Sequence, residues 1–245
     1  MDNPVLTPTE NLLVENYVDL LIALVEHGNM PHSTWEQEPH HFRLVSGCED
    51  EEFNAIFSLE EPISDPAKLK SHIEKMQESS FPFNWILRDH PDFLYMETLL
   101  TELGMKKESP SQGLIGPPKS IELDAEVRIL SVHNEHQLEL WLDLYEKSFF
   151  DQPVPLMKQM FRKTLHELGL NGASPMQADI ALYKDEPVGC NLMFYSHNKT
   201  VGGFWCVGTL PKARGKGVAK ALIQYRMKEM VDQGIPHAVT WVDKN

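Results

Sequence analysis

Three apolar segments in the C-terminal half follow one another with only short polar connections. They are residues 178–184, 188–195 and 201–210, joined by 185–187 and 196–199. Connections this short can only form antiparallel hairpins. A helical pattern at 215–232 and a strand at 238–242 come next, and a helical connection makes that strand parallel to its predecessor. We therefore predict the α/β (α+β) class, with a mixed, largely antiparallel central sheet flanked by helices.

The remainder of this half fits the same sheet. A strand is predicted at 127–132, and Asn134 with Gln137 three positions later marks the start of a helix. The apolar stripe of that helix is Leu138, Trp141, Leu142, Tyr145 and Phe149. A second helix covers 155–168, so the predicted order is β-α-α-β-β-β-α-β.

The first half alternates helices and strands more loosely. Thr7, Pro8 and Glu10 mark the start of a helix that ends at Gly28. Its buried stripe is Leu13, Tyr17, Leu20, Leu21 and Leu24. The later elements are strands 42–46, 53–59 and 83–88 and helices 65–78 and 92–103, with an acidic turn at 47–52 between the first two strands.

A segment rich in turn-forming residues separates the halves. Residues 106–120 include Pro110, Gly113, Gly116, Pro117 and Pro118. These residues disfavour regular structure over most of the segment. We place the domain boundary here, which gives two tandem domains, 1–120 and 121–245, each near the common domain size.

Charge and cysteine content exclude several classes of protein. The net charge is −14, of which −13 lies in residues 1–120, and this excess of acid argues against binding to nucleic acid or to a membrane. The three cysteines lack CxxC spacing and the early histidines lack helical spacing, so no metal is predicted. Reduced thiols and the absence of a signal peptide or a long apolar stretch indicate a cytoplasmic protein.

One segment of the second half is basic, in contrast to the acidic first half. Residues 211–228 hold six basic side chains and no acidic one, although the surrounding half is near neutral. Glycines in this segment connect a strand directly to the first turn of a helix. The free amides of such a turn lie at the positive end of the helix dipole, so the segment predicts an anion site, most naturally for a pyrophosphate.

Two common phosphate loops fit this segment poorly. A Walker A loop needs Lys and then Ser or Thr after its last glycine, but Val218 follows Gly217. A dinucleotide-binding loop needs a third glycine where Lys220 stands. It also follows the first strand of a parallel sheet, whereas this loop follows an antiparallel meander.

The segment resembles the acetyl-CoA motif of the Gcn5-related N-acetyltransferases. That motif is Arg or Gln, two residues, Gly, one residue, then Gly or Ala, and Arg214-Gly215-Lys216-Gly217-Val218-Ala219 satisfies every position. Val207-Gly208-Thr209-Leu210-Pro211 is similar to the family's fourth strand as it enters the loop. The order of elements matches the family as well.

The resemblance implies acyl transfer from acetyl-CoA by direct attack of a neutral amine. The fourth strand would splay from the fifth, with pantetheine between them near Val207 and Thr209. The implied binding residues are Val207, Gly208, Thr209, Arg214, Gly215, Lys216, Gly217, Val218, Ala219 and Lys220. The acceptor would be an amine on a small molecule, amino acid or peptide, entering beside a wall formed by Phe149, Phe150 and Asp151.

Two departures from the family bear on catalysis. Residues 201–210 contain no carboxylate, whereas many members place a Glu base on this strand, so no catalytic residue is assigned. The family also continues past the position of Asn245 with a helix bearing a Tyr general acid and two closing strands. We expect a continuing chain, the N-terminal half or a second copy in a homodimer to cover the strand at 238–242.

The first half resembles the degenerate N-terminal half of tandem acetyltransferases, especially in Phe81-Pro82-Phe83-Asn84-Trp85, which precedes a helix, and in Leu103-Gly104-Met105. It has no phosphate loop, so the resemblance implies that it binds no CoA. Two functions therefore remain open: an N-acetyltransferase, and a CoA-binding or protein-interaction module without turnover. Individual side chains outside the loop do not help to choose between these two functions. Tyr195, His197 and Tyr225 are interpreted as packing or surface residues and Cys206 as a buried strand residue, and alternation puts Trp205 on the face opposite Phe204 and Cys206.

Overall fold

A computed structural model describes residues 8–38, 41–59, 61–108, 111–120, 126–168, 170, 175–196 and 199–243. Within these ranges the chain forms two sheets and six α-helices. The expected cap at Thr7 and the side chain of His197 lie outside the described residues. None of the described helices is long and apolar enough to cross a membrane.

The first sheet contains four strands in the order β1-β2-β3-β4. Its elements are β1 (Thr34–Glu38), β2 (His41–Val45), β3 (Asn54–Ser58) and β4 (Asn84–Leu87), with α1 (Pro8–Gly28), α2 (Pro66–Gln77) and α3 (Leu94–Glu102) around them. Only β3 and β4 pair in parallel. Strand β1 was not predicted, and its side chains are mostly exposed, which leaves no apolar alternation to detect.

The second sheet contains six strands in the order β5-β10-β9-β8-β7-β6. Its strands are β5 (Ser111–Gly116), β6 (Val127–Ser131), β7 (Met176–Tyr183), β8 (Glu186–Tyr195), β9 (Val201–Thr209) and β10 (His237–Asp243). The helices are α4 (Glu135–Phe149), α5 (Pro155–Leu168) and α6 (Val218–Asp232). The antiparallel meander and the parallel β9–β10 pair are confirmed.

Strand β5 corrects the prediction for the connecting segment. Irregular structure was expected over most of 106–120, but the whole of β5 pairs with β10, from Ala238 opposite Gly116 to Asp243 opposite Ser111. Gly113 does not form a turn. It allows Leu13 to pack closely against β5, because a Cβ at position 113 would lie 2.3 Å from the Leu13 side chain. The N-terminal half therefore covers the edge of β10.

Helix α1 joins the two halves through a common core. It packs against α5 and against the second sheet, and one apolar cluster contains residues from both halves. The ring of Tyr17 lies 4.8 Å from that of Trp205 on β9 and 4.5 Å from that of Trp241 on β10. The position of the second sheet thus depends on a helix of the first half.

Candidate active site

Strands β9 and β10 separate after a short stretch of pairing. Their parallel register covers only Val201 to Gly203 against His237 to Val239. One side-chain contact continues it, because the Thr240 hydroxyl donates to the Phe204 carbonyl at 2.9 Å. From there to Thr209, the β10 side of β9 has no strand partner among the described residues. Its backbone groups are open to an extended ligand that carries amides.

A β-bulge marks the middle of this open stretch. Cys190 on β8 pairs with Gly208, whereas Leu192 pairs with Trp205, so β9 contains one extra residue. Cys206 accommodates the bulge with a left-handed φ of 53°. The bulge also changes which face each side chain occupies: Trp205 and Cys206 both pack on the core that contains α4, and Phe204 packs on the opposite face. The expectation that Cys206 shares a face with Phe204 is therefore wrong.

The glycine loop leads from β9 into α6 and leaves the amides at the start of the helix uncovered. Gly215 and Gly217 have φ values of 74° and 77°, in the left-handed region that favours glycine. Gly217 is the N-cap of α6 and supplies no side-chain acceptor. The first amides of the helix, Val218 to Lys220, have no intrahelical acceptor and lie at its positive end. No heavy atom lies within 4 Å of a Cβ built on Gly215, so space is open beside them.

The basic side chains around the loop have different roles. Arg214 is exposed and donates from Nε to the Thr209 carbonyl at 3.3 Å, which ties the loop to the end of β9. Lys216 and Lys220 are exposed beside the helix start. Lys212 forms an ion pair with Glu186, with Nζ and Oε2 2.7 Å apart, so its charge is already partly neutralised.

These features fit the pantetheine and pyrophosphate parts of CoA. The Thr209 hydroxyl is buried without a hydrogen-bond partner among the described residues, at the junction between the open edge of β9 and the loop. A ligand amide would satisfy it. Val207 and Thr209 are partly exposed, and Gly208 is buried against α4, where a Cβ would lie 2.7 Å from the Phe149 ring. The structure thus brings the predicted binding residues together along one path.

Near the bulge lies a polar group that the sequence did not predict. The Tyr145 hydroxyl on α4 lies close to the Cys206 thiol and to the Asp50 carboxylate, which comes from the acidic turn between β2 and β3. Asp50 is 8% exposed. Because Asp50 and Cys206 are far apart in sequence and no motif connects them, no local pattern could have predicted this contact.

The two cysteines beside the site are not activated thiols. Burial raises the pKa of Cys190 to about 12 and raises that of Cys206 well above its ordinary value. Neither thiol is ionised near neutral pH, and the thiolate is the nucleophilic form. This supports the interpretation of Cys206 as a structural residue.

A separate cavity of about 150 Å³ lies between α5, α6 and β7. Its wall includes Tyr225 and Arg226. The Arg226 side chain is 5% exposed, and its guanidinium contacts Asp179, Gln177, Glu229 and the Ser131 hydroxyl. The donors of the guanidinium are engaged by these partners, so this cavity offers a ligand no free cation. Tyr195 is buried, as expected for a packing residue. No group of three or more potential metal ligands occurs among the described residues.

Comparisons with known proteins assign a family to part of the chain and a fold to most of it. Residues 138–245 match the model of the acetyltransferase (GNAT) family. No curated protein matched the chain. A GCN5-related N-acetyltransferase from Kribbella flavida superposes with a TM-score of 0.57 at 15% identity. The match covers 92% of this chain and 85% of the Kribbella chain.

Two further solved structures share the fold over most of the chain. A GCN5-related N-acetyltransferase from Sphaerobacter thermophilus has a TM-score of 0.58 and 13% identity, and the match covers 96% of this chain and 85% of that one. A functionally unknown conserved protein from Staphylococcus epidermidis has a TM-score of 0.61 and 12% identity, with coverages of 87% and 85%. At these identities the likeness concerns the fold, and the family match concerns the half that contains the glycine loop. The C-terminal half of the chain, residues 138–245, belongs to the GNAT superfamily.

Proposed function

We propose that this protein is an acyl-CoA-dependent N-acyltransferase that transfers acetyl from acetyl-CoA to a primary amine. The observation that carries the proposal is the continuity between the open edge of β9, residues 204–209, and the uncovered amides at the start of α6, Val218 to Lys220. An extended amide-bearing arm joined to a pyrophosphate matches that path. When bound, acetyl-CoA supplies a thioester carbonyl that is susceptible to attack by an amine.

The residues of the chain hold the donor in this proposal. The amides from Gly215 to Lys220 bind the pyrophosphate, with Arg214 and Lys216 adding positive charge. The edge of β9 from Cys206 to Thr209 pairs with the pantetheine amides. A backbone N–H of the same strand polarises the acyl oxygen, and the fixed geometry supplies an orientation gain.

The acceptor would enter on the face of β9 that contains α4. Phe149 and Phe150 lie on this face beside Tyr145, at ring distances of 4.9 and 5.9 Å. The acidic turn of the first half approaches the same place. We therefore propose a cationic amine as acceptor, drawn in by the negative charge of the first half. Strand β5 covers the edge for which a second copy was considered, so the proposal requires no homodimer.

The test is release of free CoA thiol from acetyl-CoA across a panel of amines that differ in charge. Turnover with an amine, above hydrolysis without one, supports the enzyme, and lower rates at high salt for cationic amines support the steering. Binding of CoA by calorimetry without turnover on any amine would favour the second candidate, a CoA-binding or protein-interaction module. Failure to bind CoA would overturn both.

A further inference from the structure

The bulge of β9 is surrounded by side chains from both halves of the chain. Cys206 lies at the bulge, Tyr145 reaches it from α4, Tyr17 from α1 and Asp50 from the turn between β2 and β3. Cys206 is partly exposed, so this group lies at the boundary between the core and the open stretch of β9. It is the point at which the proposed donor path meets the first half.

The acidic turn is fixed to the second half by its own side chains. Both carboxylate oxygens of Glu49 accept from backbone amides at the start of α5, those of Leu156 and Met157, each at 3.0 Å. The Tyr17 hydroxyl donates to the Glu52 carbonyl at 2.8 Å. These contacts hold the turn against α5 and α1, which determines where Asp50 points.

A buried amide fixes the turn from within. Asn54 donates to the carbonyls of Cys48 and Asp50 at 3.1 and 2.8 Å, and its side-chain oxygen accepts from the Ser46 amide at 2.9 Å. Asp50 itself accepts from the Glu52 amide at 3.0 Å. Its carboxylate also lies close to the Tyr145 hydroxyl of α4.

We propose that Asp50 is the proton acceptor of the reaction, supplied by the first half to a site built on the second. This inference rests on the proposed function. The ammonium form of the acceptor gives one proton to the Asp50 carboxylate. The nitrogen lone pair then forms the C–N bond as the C–S bond breaks, and the second proton lost by nitrogen neutralises the departing thiolate. Asp50 finally returns its proton to solvent.

The environment of Asp50 suits this role better than that of its neighbours. Glu51 and Glu52 are exposed, whereas Asp50 is almost fully buried beside the bulge. Burial raises the pKa of the Asp50 carboxyl, which brings it closer to neutrality, where a general base is most effective. No residue of β9 can do the same, because Val201 to Thr209 include no carboxylate.

Several groups near Asp50 influence its titration. The hydroxyl of Tyr145 lowers the pKa of Asp50 by donating to the carboxylate, and the negative charges of Glu49 and Glu51 raise it. Other ionisable groups that face this cluster are Glu52 and Cys48 on the same turn, Tyr17 on α1 and Cys206 on β9, and burial raises the pKa of Cys48 to about 11. Burial raises the pKa of Tyr17, Tyr145 and Cys206, so these three stay neutral while Asp50 titrates.

The decisive variant is Asp50→Asn, with Glu51→Gln as its matched control on the same turn. Asparagine keeps the hydrogen bond that caps the turn, so the fold is retained. We expect kcat/KM for the amine to fall on the order of 100-fold in Asp50→Asn. We expect the acidic limb of the pH profile to disappear, while the Kd for CoA measured by calorimetry stays unchanged. Glu51→Gln should behave like the wild-type protein in all three measurements.

A second variant and a direct titration complete the test. Tyr145→Phe removes a donor to the carboxylate, so the acidic limb should move to higher pH, as should the Asp50 carboxyl signal followed by carbon NMR without CoA. Wild-type turnover combined with an unaltered rate and pH profile in Asp50→Asn would overturn the role of Asp50 alone. The absence of turnover in the wild-type protein with every amine would overturn the proposed function, and this inference with it.

Discussion

The side-chain oxygen of Asn16 accepts a hydrogen bond from the indole nitrogen of Trp205 at 3.1 Å, across 189 residues of sequence. The same side chain donates to the Phe194 carbonyl at 3.1 Å. One fully buried amide therefore connects α1 to both β8 and β9, next to the point where β9 and β10 separate. The helix of the first half is part of the framework of the site.

Replacement of Asn16 should destabilise the whole chain. In Asn16→Ala, the Phe194 carbonyl and the Trp205 indole each lose a buried partner, at about 1–3 kcal/mol per group. We expect the free energy of unfolding in urea to fall by about 2–4 kcal/mol. Glu26→Ala, on an exposed position of the same helix, is the control and should change it little. Equal effects of the two variants would contradict the connecting role of Asn16.

The anion site can be tested through its charges. Arg214→Ala combined with Lys216→Ala should weaken CoA binding by about 1–3 kcal/mol in calorimetry, through loss of charge-assisted bonds to phosphate. The salt dependence of binding should become shallower. Lys228→Ala is the control, because that side chain pairs with Asp232 at the far end of α6. A double variant that binds CoA as tightly as the wild-type protein would refute the site.

A pair of glycine variants can distinguish an effect on CoA binding from the general cost of backbone strain. Gly215 and Gly234 both have left-handed φ values, 74° and 70°, and neither would place a Cβ within 4 Å of another atom. Gly215→Ala and Gly234→Ala should therefore lower the melting temperature by similar amounts. Only Gly215→Ala should weaken CoA binding, because its methyl group occupies the approach to the amides. Equal binding by both variants would show that Gly215 serves only the turn.

The stability of the protein should depend on the buried pair of Arg226 and Asp179. Removal of one partner leaves a buried charge uncompensated, so Asp179→Asn should cost about 3–5 kcal/mol of unfolding free energy. The pair formed by Arg128 and Asp185 is exposed and offers a control within the same sheet. Arg128→Ala should cost less than about 1 kcal/mol. A mild effect of Asp179→Asn would mean that the other partners of Arg226 compensate for the loss.

Asp50 should also leave a signature in the pH dependence of stability. Its pKa is raised on folding, so between the unfolded and folded pKa values the folded state binds more protons, and stability falls as the pH rises through that window. In Asp50→Asn this pH-dependent loss of stability is absent. Urea denaturation from about pH 4 to about pH 7 should show the variant gaining stability relative to the wild-type protein as the pH rises. A constant difference would contradict the raised pKa.

Local signals in the sequence predicted most elements of the second half. The bounds of α5 agree with the prediction, and Asn134 caps α4 by accepting from the Gln137 amide at 3.0 Å. These features depend on residues a few positions apart. The glycine loop could also be predicted from the sequence, because the residues of its motif are contiguous.

Features that depend on distant partners were not predicted. Strand β5 consists of residues that resemble a linker, and it forms only because β10 offers an open edge more than a hundred positions later. The bulge at Cys206 moved a side chain to the other face of the sheet, although the residue with the left-handed φ is a cysteine and not a glycine. Asp50 reaches the site through tertiary contacts alone, so the sequence placed it only in an acidic turn.

Strand β5 limits how such a protein can diversify by recombination. A crossover after residue 120 would pass the glycine loop and β6–β10 to a new partner but would leave behind the strand that pairs with β10. It would also leave behind Asn16 and Glu49, which hold β9 and the start of α5. We therefore expect the second half to lose stability when it is separated from the first, so the two halves should be exchanged only as one unit.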